Sequence, residues 1–103
     1  MSAYVVFIRE QTVDRAELDT YFKEVKATFA GHELKVLANY GPQEDLEGSP
    51  TEGTVIGEFP SMEAALAFYH SPEYQEAAAI RRASCDGCEL VIMEGEAIFK
   101  GSL

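Results

Sequence analysis

Apolar residues occupy both parities of the first strand-like stretch. Tyr4, Val6 and Ile8 share one side, and Val5 and Phe7 share the other. Successive strand side chains point to opposite faces, so this stretch predicts a strand covered on both sides, ending near Arg9. Leu18, Tyr21, Phe22, Val25 and Phe29 then recur at helical spacing. Asp14 with Glu17 forms a capping-box pattern ahead of them, and Gly31 supplies a stop, which predicts a helix over 15–30. Glu33 to Tyr40 alternates as a second strand, with Leu34, Val36, Ala38 and Tyr40 on one face and Lys35, Leu37 and Asn39 on the other.

Gly41 to Gly53 breaks the pattern with three Gly, two Pro and four acidic residues. It predicts a long loop, of a length often functional or mobile, with Leu46 as its one anchor toward the core. Thr54 to Phe59 restores alternation, Val55 and Phe59 opposing Ile56 and Glu58. Pro60 ends this third strand and Ser61 caps a short helix whose apolar face is Met62, Ala65, Leu66 and Tyr69. His70 closes that helix, and Ser71-Pro72 restarts another, because proline at the first helical position lacks only an N–H that would be unpaired anyway. Tyr74, Ala77, Ala78 and Arg81 line one face of this third helix, which fades near Ser84. Glu89 to Glu94 is a last strand, again apolar on both parities, and Ala97, Ile98 and Phe99 form an apolar tail.

The order is β-α-β-β-α-β with the second helix broken in two. This is the ferredoxin-like plan: an α+β fold with a four-stranded antiparallel sheet and its helices on one face. Helices on one face leave the two-sided first and last strands in need of another cover. A second copy packed sheet to sheet supplies it, so a homodimer is expected, with residues 96–99 reaching across to the partner.

Length and charge narrow the class. The 103 residues suit a single domain spanning 1–103. Eight basic against 18 acidic residues give a formal net charge of −10. That sign opposes nucleic acid and anionic membranes, whose phosphates are bound by Lys and Arg. The longest apolar runs fall far short of a membrane span, and the N-terminus reads as a strand instead of a signal peptide. Two cysteines make no multi-bridge framework, so a reducing, cytoplasmic setting is the default expectation.

The stretch EFPSMEAALAFYHSPEYQ, followed by IRRAS and preceded by DLEG, resembles the DUF1330 family of small α/β proteins, and the likeness runs over essentially the whole chain. The resemblance implies a ferredoxin-like domain assembled as a dimeric α/β barrel, a superfamily shared with antibiotic-biosynthesis-type monooxygenases and muconolactone isomerases. It implies no established reaction. Two segments depart from the family pattern: Asn39-Tyr40-Gly41, where relatives commonly carry Arg-Gly-Gly, and the CDGC segment at 85–88.

In such barrels a pocket lies between sheet and helices. The groups placed to reach it are His32, Asn39, Tyr40, Glu58, Tyr69, His70, Tyr74 and Arg81. Arg81, on the inner face of an Ala-rich helix, needs a partner, and Glu58 is the natural one. Arg82 is expected to face solvent. Cys85-x-x-Cys88 lacks the further ligands of a structural metal site, and it follows a helix C-terminus, where the dipole does not lower a thiol pKa. No metal and no cofactor are expected. Two functional readings follow. One is a small-molecule binding protein or cofactor-independent enzyme. The other is a non-catalytic dimeric binding or stress-associated module.

Overall fold

The computed structural model describes residues 1–95. Seven elements follow one another along them: β1 (Ala3–Thr12), α1 (Arg15–Thr28), β2 (Lys35–Asn39), β3 (Gly53–Phe59), α2 (Met62–His70), α3 (Pro72–Ser84) and β4 (Cys85–Glu94). The apolar tail expected to reach a partner, residues 96–99, lies outside the described residues. The strands form one sheet in the order β2-β3-β1-β4, every neighbouring pair antiparallel. This is the split βαβ arrangement that the hydrophobic pattern predicts.

Local chemistry sets the helix ends. The Asp14 carboxylate accepts a hydrogen bond from Glu17 N at 3.1 Å, which starts α1. Ser61 Oγ does the same for Ala64 N at 3.0 Å and starts α2. Ser71 serves two helices at once. Its Oγ donates to Phe68 O at 2.7 Å, closing α2, and accepts from Tyr74 N at 3.2 Å, opening α3. With Ser71 extended (φ −61°, ψ 141°) and Pro72 next, the axis must turn there.

Alternation then sorts side chains across the sheet. Ala3 and Val5 of β1 and Phe59 of β3 enter the helix-side core and are almost fully buried. Phe68 is central to it, with ring centroids of Phe29, Phe59 and Tyr74 at 5.8, 5.4 and 4.6 Å. Burying such a ring is worth about 1.5–3 kcal/mol relative to exposure. Leu18, Tyr21 and Ala77 form a second cluster where α1 meets α3. The carbonyl of Ser84 accepts from Val13 N at 2.9 Å and Asp14 N at 3.1 Å, tying the end of α3 to the β1–α1 turn.

The structure corrects three details. The alternation of β2 does not run unbroken, because the register with β3 shifts between Val36 and Ala38. Leu37 is the extra residue, so Val36 (opposite Gly57) and Asn39 (opposite Val55) share the helix side. Leu46 is 82% exposed and anchors nothing. The 41–53 loop instead holds itself together through polar contacts, Thr51 Oγ1 donating to Asp45 Oδ1 at 2.7 Å and Thr51 N to Asp45 Oδ2 at 3.1 Å. Those two bonds hold the Asp45 carboxyl below its usual range. Finally, β4 begins at Cys85, earlier than the apolar run suggests, because β1 extends to Thr12 and pairs with it there.

Candidate functional site

Between the helix side of the sheet and α1 lies a cavity of about 320 Å³. Its α1 wall is largely the aromatic and aliphatic stripe, with Phe22 and Val25 prominent, and its floor includes Phe7 and Val55. Polar groups enter at a few points: Arg9 from β1, Asn39 and Tyr40 from the end of β2, Arg81 from α3, and Lys26 and Glu89. A mostly apolar lining with a few convergent polar groups is the usual form of a small-molecule site.

Arg9 and Tyr40 make one edge of this cavity. Arg9 Nη1 donates to the Tyr40 hydroxyl at 3.0 Å. The guanidinium carbon lies 5.0 Å from the Tyr40 ring centroid and 5.8 Å from that of Phe22, within cation–π range. Phe22 and Tyr40 meet edge to face at 5.6 Å. Tyr40 adopts φ 54°, in the left-handed region that disfavours any residue with a Cβ. Its ring lies against Gly53, where an added Cβ would collide with it. The alternation break at Leu37 and the left-handed turn at Tyr40 together bring Asn39 and Tyr40 to the same cavity.

Arg81 and Tyr21, backed by Tyr74, make the deep end. Arg81 is 9% exposed, and its Nε has no hydrogen-bond partner among the described residues. The same holds for Arg9 Nε. Beside Arg81 the Tyr21 and Tyr74 hydroxyls lie 3.5 Å apart in the interior. Burial, reinforced by Tyr74, pushes the Tyr21 phenol far above its ordinary range. Burial also raises Tyr74, although the Tyr21 hydroxyl and the Arg81 guanidinium pull it partly back. Both phenols are therefore neutral at physiological pH and act there as hydrogen-bonding groups instead of bases.

The residues expected from the sequence separate clearly. Tyr40 and Arg81, with Asn39, line the cavity. Tyr74 is fully buried behind it and touches it through Tyr21. His32 packs edge-on against Phe68 at 5.3 Å, outside the lining. Tyr69 packs on His70 and Tyr74, and His70 is exposed at the end of α2. Glu58 does not pair with Arg81. It alternates with the core-facing Phe59 and Gly57, which puts it on the far face opposite Tyr4 and Lys35. Among the described residues the one ion pair is Arg15–Asp19, at 3.1 Å on the surface. Arg82 is exposed, as expected.

Arg9 and Tyr21 are the groups that reading the sequence passed over. Parity offered a signal for the first, since Arg9 continues the series Val5, Phe7 on the core side. Tyr21 is indistinguishable by spacing from its apolar neighbours on the helix stripe.

Cys85 and Cys88 are joined in a disulfide, which the spacing had not foretold. Gly87 between them takes φ 65° opposite Glu10, where a side chain would run into the Glu10 carboxylate. Cys88 borders the cavity, and Cys85 Sγ lies 3.2 Å from the carbonyl of Arg81. Among the described residues no group of three or more His, Cys, Asp or Glu side chains is placed to hold a metal ion.

The chain belongs to the DUF1330 family, a domain of unknown function, whose model matches residues 2–96. No curated protein matches it in sequence. Among solved structures, a protein of unknown function from Rhodopseudomonas palustris superposes with a TM-score of 0.70 at 18% identity, over 92% of this chain and 82% of its own. A dimeric ferredoxin-like protein of unknown function from Jannaschia sp. gives 0.65 at 20% identity, over 92% and 100%. The hydroxynitrile lyase of Passiflora edulis gives 0.72 at 11% identity, over 96% and 97%. The fold is thus ferredoxin-like, and likeness at these identities speaks of fold alone.

Proposed function

We propose that this protein is a homodimeric, single-domain binding protein for a small organic molecule, held between α1 and the sheet. The observation that carries the reading is the cavity itself. It is some 320 Å³ of mostly apolar space lined in part by Arg81, whose buried Nε has no partner among the described residues. A closed structural core would have filled the space and paired the arginine. Of the residues expected at the site, Tyr40 and Arg81 are assigned ligand contact, and Tyr74 supports Tyr21 from behind. The fold has room for chemistry, as a hydroxynitrile lyase of similar fold illustrates, but binding is what this arrangement of side chains supports.

The second copy is assigned to the far face of the sheet. Val91 and Met93 are 53% and 63% exposed there, on the side of the sheet shared by Tyr4, Val6 and Ile8. Structures of similar fold from Jannaschia and Thermobifida fusca are described as dimeric. Among the described residues no helix is long and apolar enough to cross a membrane.

Thermal-shift measurements with one- and two-ring aromatic compounds, neutral and acidic, test the ligand reading. A compound at a hundred times its Kd adds about 2.7 kcal/mol, and each kcal/mol moves Tm by about 4–8 °C in a domain of this size. Val36→Trp, at a half-exposed position on the cavity wall, is expected to block the shift. If no compound raises the wild-type Tm at millimolar concentration, the binding reading is lost. Light scattering tests the dimer, which Val91→Glu combined with Met93→Glu is expected to dissociate. A wild-type monomer at micromolar concentration refutes it.

A further inference from the structure

Resting on the binding reading above, the geometry points to the chemical class of the ligand: we propose that the cavity takes a small organic carboxylate. Its anionic head lies between Arg81 and Arg9, and its apolar body rests against Phe22, Val25 and Val55. Three basic side chains (Arg9, Lys26 and Arg81) and one acidic side chain (Glu89) line the space, in a chain whose formal net charge is −10. The lining of the cavity is thus net positive on a negative chain, with Arg81 its one buried charge. Among the described residues none of the three cations is in an ion pair, the one such pair being Arg15–Asp19.

Arg81 carries the argument. A guanidinium stays charged at every physiological pH and offers five donors. Burying one is costly unless its donors find acceptors and its charge finds a counter-charge. At 9% exposure, with Nε unpartnered and neutral phenols for neighbours, Arg81 lacks that counter-charge among the described residues. Arg9 repeats the pattern: its Nη1 is used by Tyr40 while its buried Nε is not. A carboxylate matches the planar fork of a guanidinium in two parallel hydrogen bonds.

The rest of the lining selects the body of the ligand. Phe22, Val25 and Val55 are apolar, so a strongly hydrated dianion such as a phosphate monoester would lose hydration without recompense along that wall. A cavity of about 150 Å³ accepts benzene. The present volume, about twice that, therefore suits one or two rings, or a branched aliphatic acid of similar size.

The test uses matched pairs on the full-length protein: 1-naphthoate against 1-naphthamide, and benzoate against benzamide, with phenyl phosphate as a third arm. Affinities come from titration calorimetry on wild type, Arg81→Met and Arg9→Gln, each checked for folding by circular dichroism. The acids are expected to bind wild type at least about tenfold more tightly than their amides, the range of a charge-assisted hydrogen bond. Each arginine substitution is expected to erase that preference while leaving amide binding within a few-fold. Should Arg81→Met fail to fold, Arg9→Gln on the more accessible arginine decides the matter alone. Amides binding as well as acids, phenyl phosphate binding better than benzoate, or an acid preference that survives Arg9→Gln would each overturn the carboxylate proposal while leaving the pocket in place. Binding of none of the compounds would remove both.

Discussion

Arg9 and Tyr40, 31 residues apart, are joined by a 3.0 Å hydrogen bond from guanidinium to phenol, and the same guanidinium lies 5.0 Å from the Tyr40 ring centroid. This double contact holds a tyrosine in a backbone conformation it would otherwise avoid, with φ 54°. A left-handed residue with a Cβ costs about 1–2 kcal/mol. A hydrogen bond of about 1 kcal/mol and a cation–π contact of about 0.5–1 kcal/mol are together enough to offset that cost. The edge of the cavity is therefore an energetic balance between local strain and tertiary contact.

That balance makes Tyr40 replaceable by glycine but not by alanine. Tyr40→Gly loses the ring contacts and relieves the strain, so its stability should stay within about 1 kcal/mol of wild type. Tyr40→Ala loses the contacts and keeps the strain, so it should be less stable than the glycine variant by about 1 kcal/mol. Urea denaturation of the pair measures the difference, and equal midpoints would mean that the backbone there is not left-handed. Gly53→Ala, which drives a methyl into the Tyr40 ring, should cost about 1–3 kcal/mol as overpacking does.

The Tyr21–Tyr74 pair predicts an alkaline weakness. Both phenols are raised above the ordinary value of 10.0, by burial first. Above pH 10 the unfolded chain has released these protons while the folded one still holds them. Stability is therefore fully present below pH 10 and falls as pH rises, by about 1.4 kcal/mol per pH unit for Tyr21, with Tyr74 acting in the same direction. At pH 7, Tyr21→Phe should cost about 0.5–1.5 kcal/mol through the lost hydroxyl contact. By pH 11 that deficit should narrow by about 1 kcal/mol, because the variant has one fewer phenol to keep protonated. Denaturation curves at both pH values check this, and a deficit that widens contradicts the buried assignment.

Reduction of Cys85–Cys88 should loosen the α3–β4 junction by a bounded amount. The bridge closes a loop with a sequence separation of 3, and a loop that short restrains the unfolded chain by at most about 2 kcal/mol. Tm is expected to drop by no more than about 8–16 °C on adding a phosphine reductant, and Cys88→Ser should show the lowered value in either condition. Alkylation with mass spectrometry before reduction reports the bond directly. Two free thiols in protein never exposed to reductant would contradict it.

Ser71 stands where one helix ends and the next begins. Ser71→Ala removes the bond to Phe68 O and the cap on Tyr74 N together. The loss should be about 1–2 kcal/mol, at the upper end for a cap. Ser71→Asp keeps an acceptor for Tyr74 N and should recover most of it. Equal stability of the Ala and Asp variants would show that the cap does not matter.

The sequence by itself determined the element order, the helix starts and the two-faced character of β1. Asp14, Ser61 and Ser71-Pro72 act within four residues of where they stand, and period-2 and 3.6-residue patterns report burial directly. For the same reason the family could be recognised, since its pattern lies in those local signals. The cavity was legible only in part. Tyr40 and Arg81 were recognisable as polar groups at inward positions. That Arg81 would lack Glu58, that Leu37 would bulge and turn Asn39 inward, and that Arg9 would reach Tyr40 depended on how separate strands register against one another. So did the early start of β4, which requires β1 to run on to Thr12 and set Cys85 opposite it. Local hydrogen bonds and backbone preferences act over a few residues and are written in order along the chain. Register and pairing are settled by packing between segments tens of residues apart, and only the folded molecule brings those together.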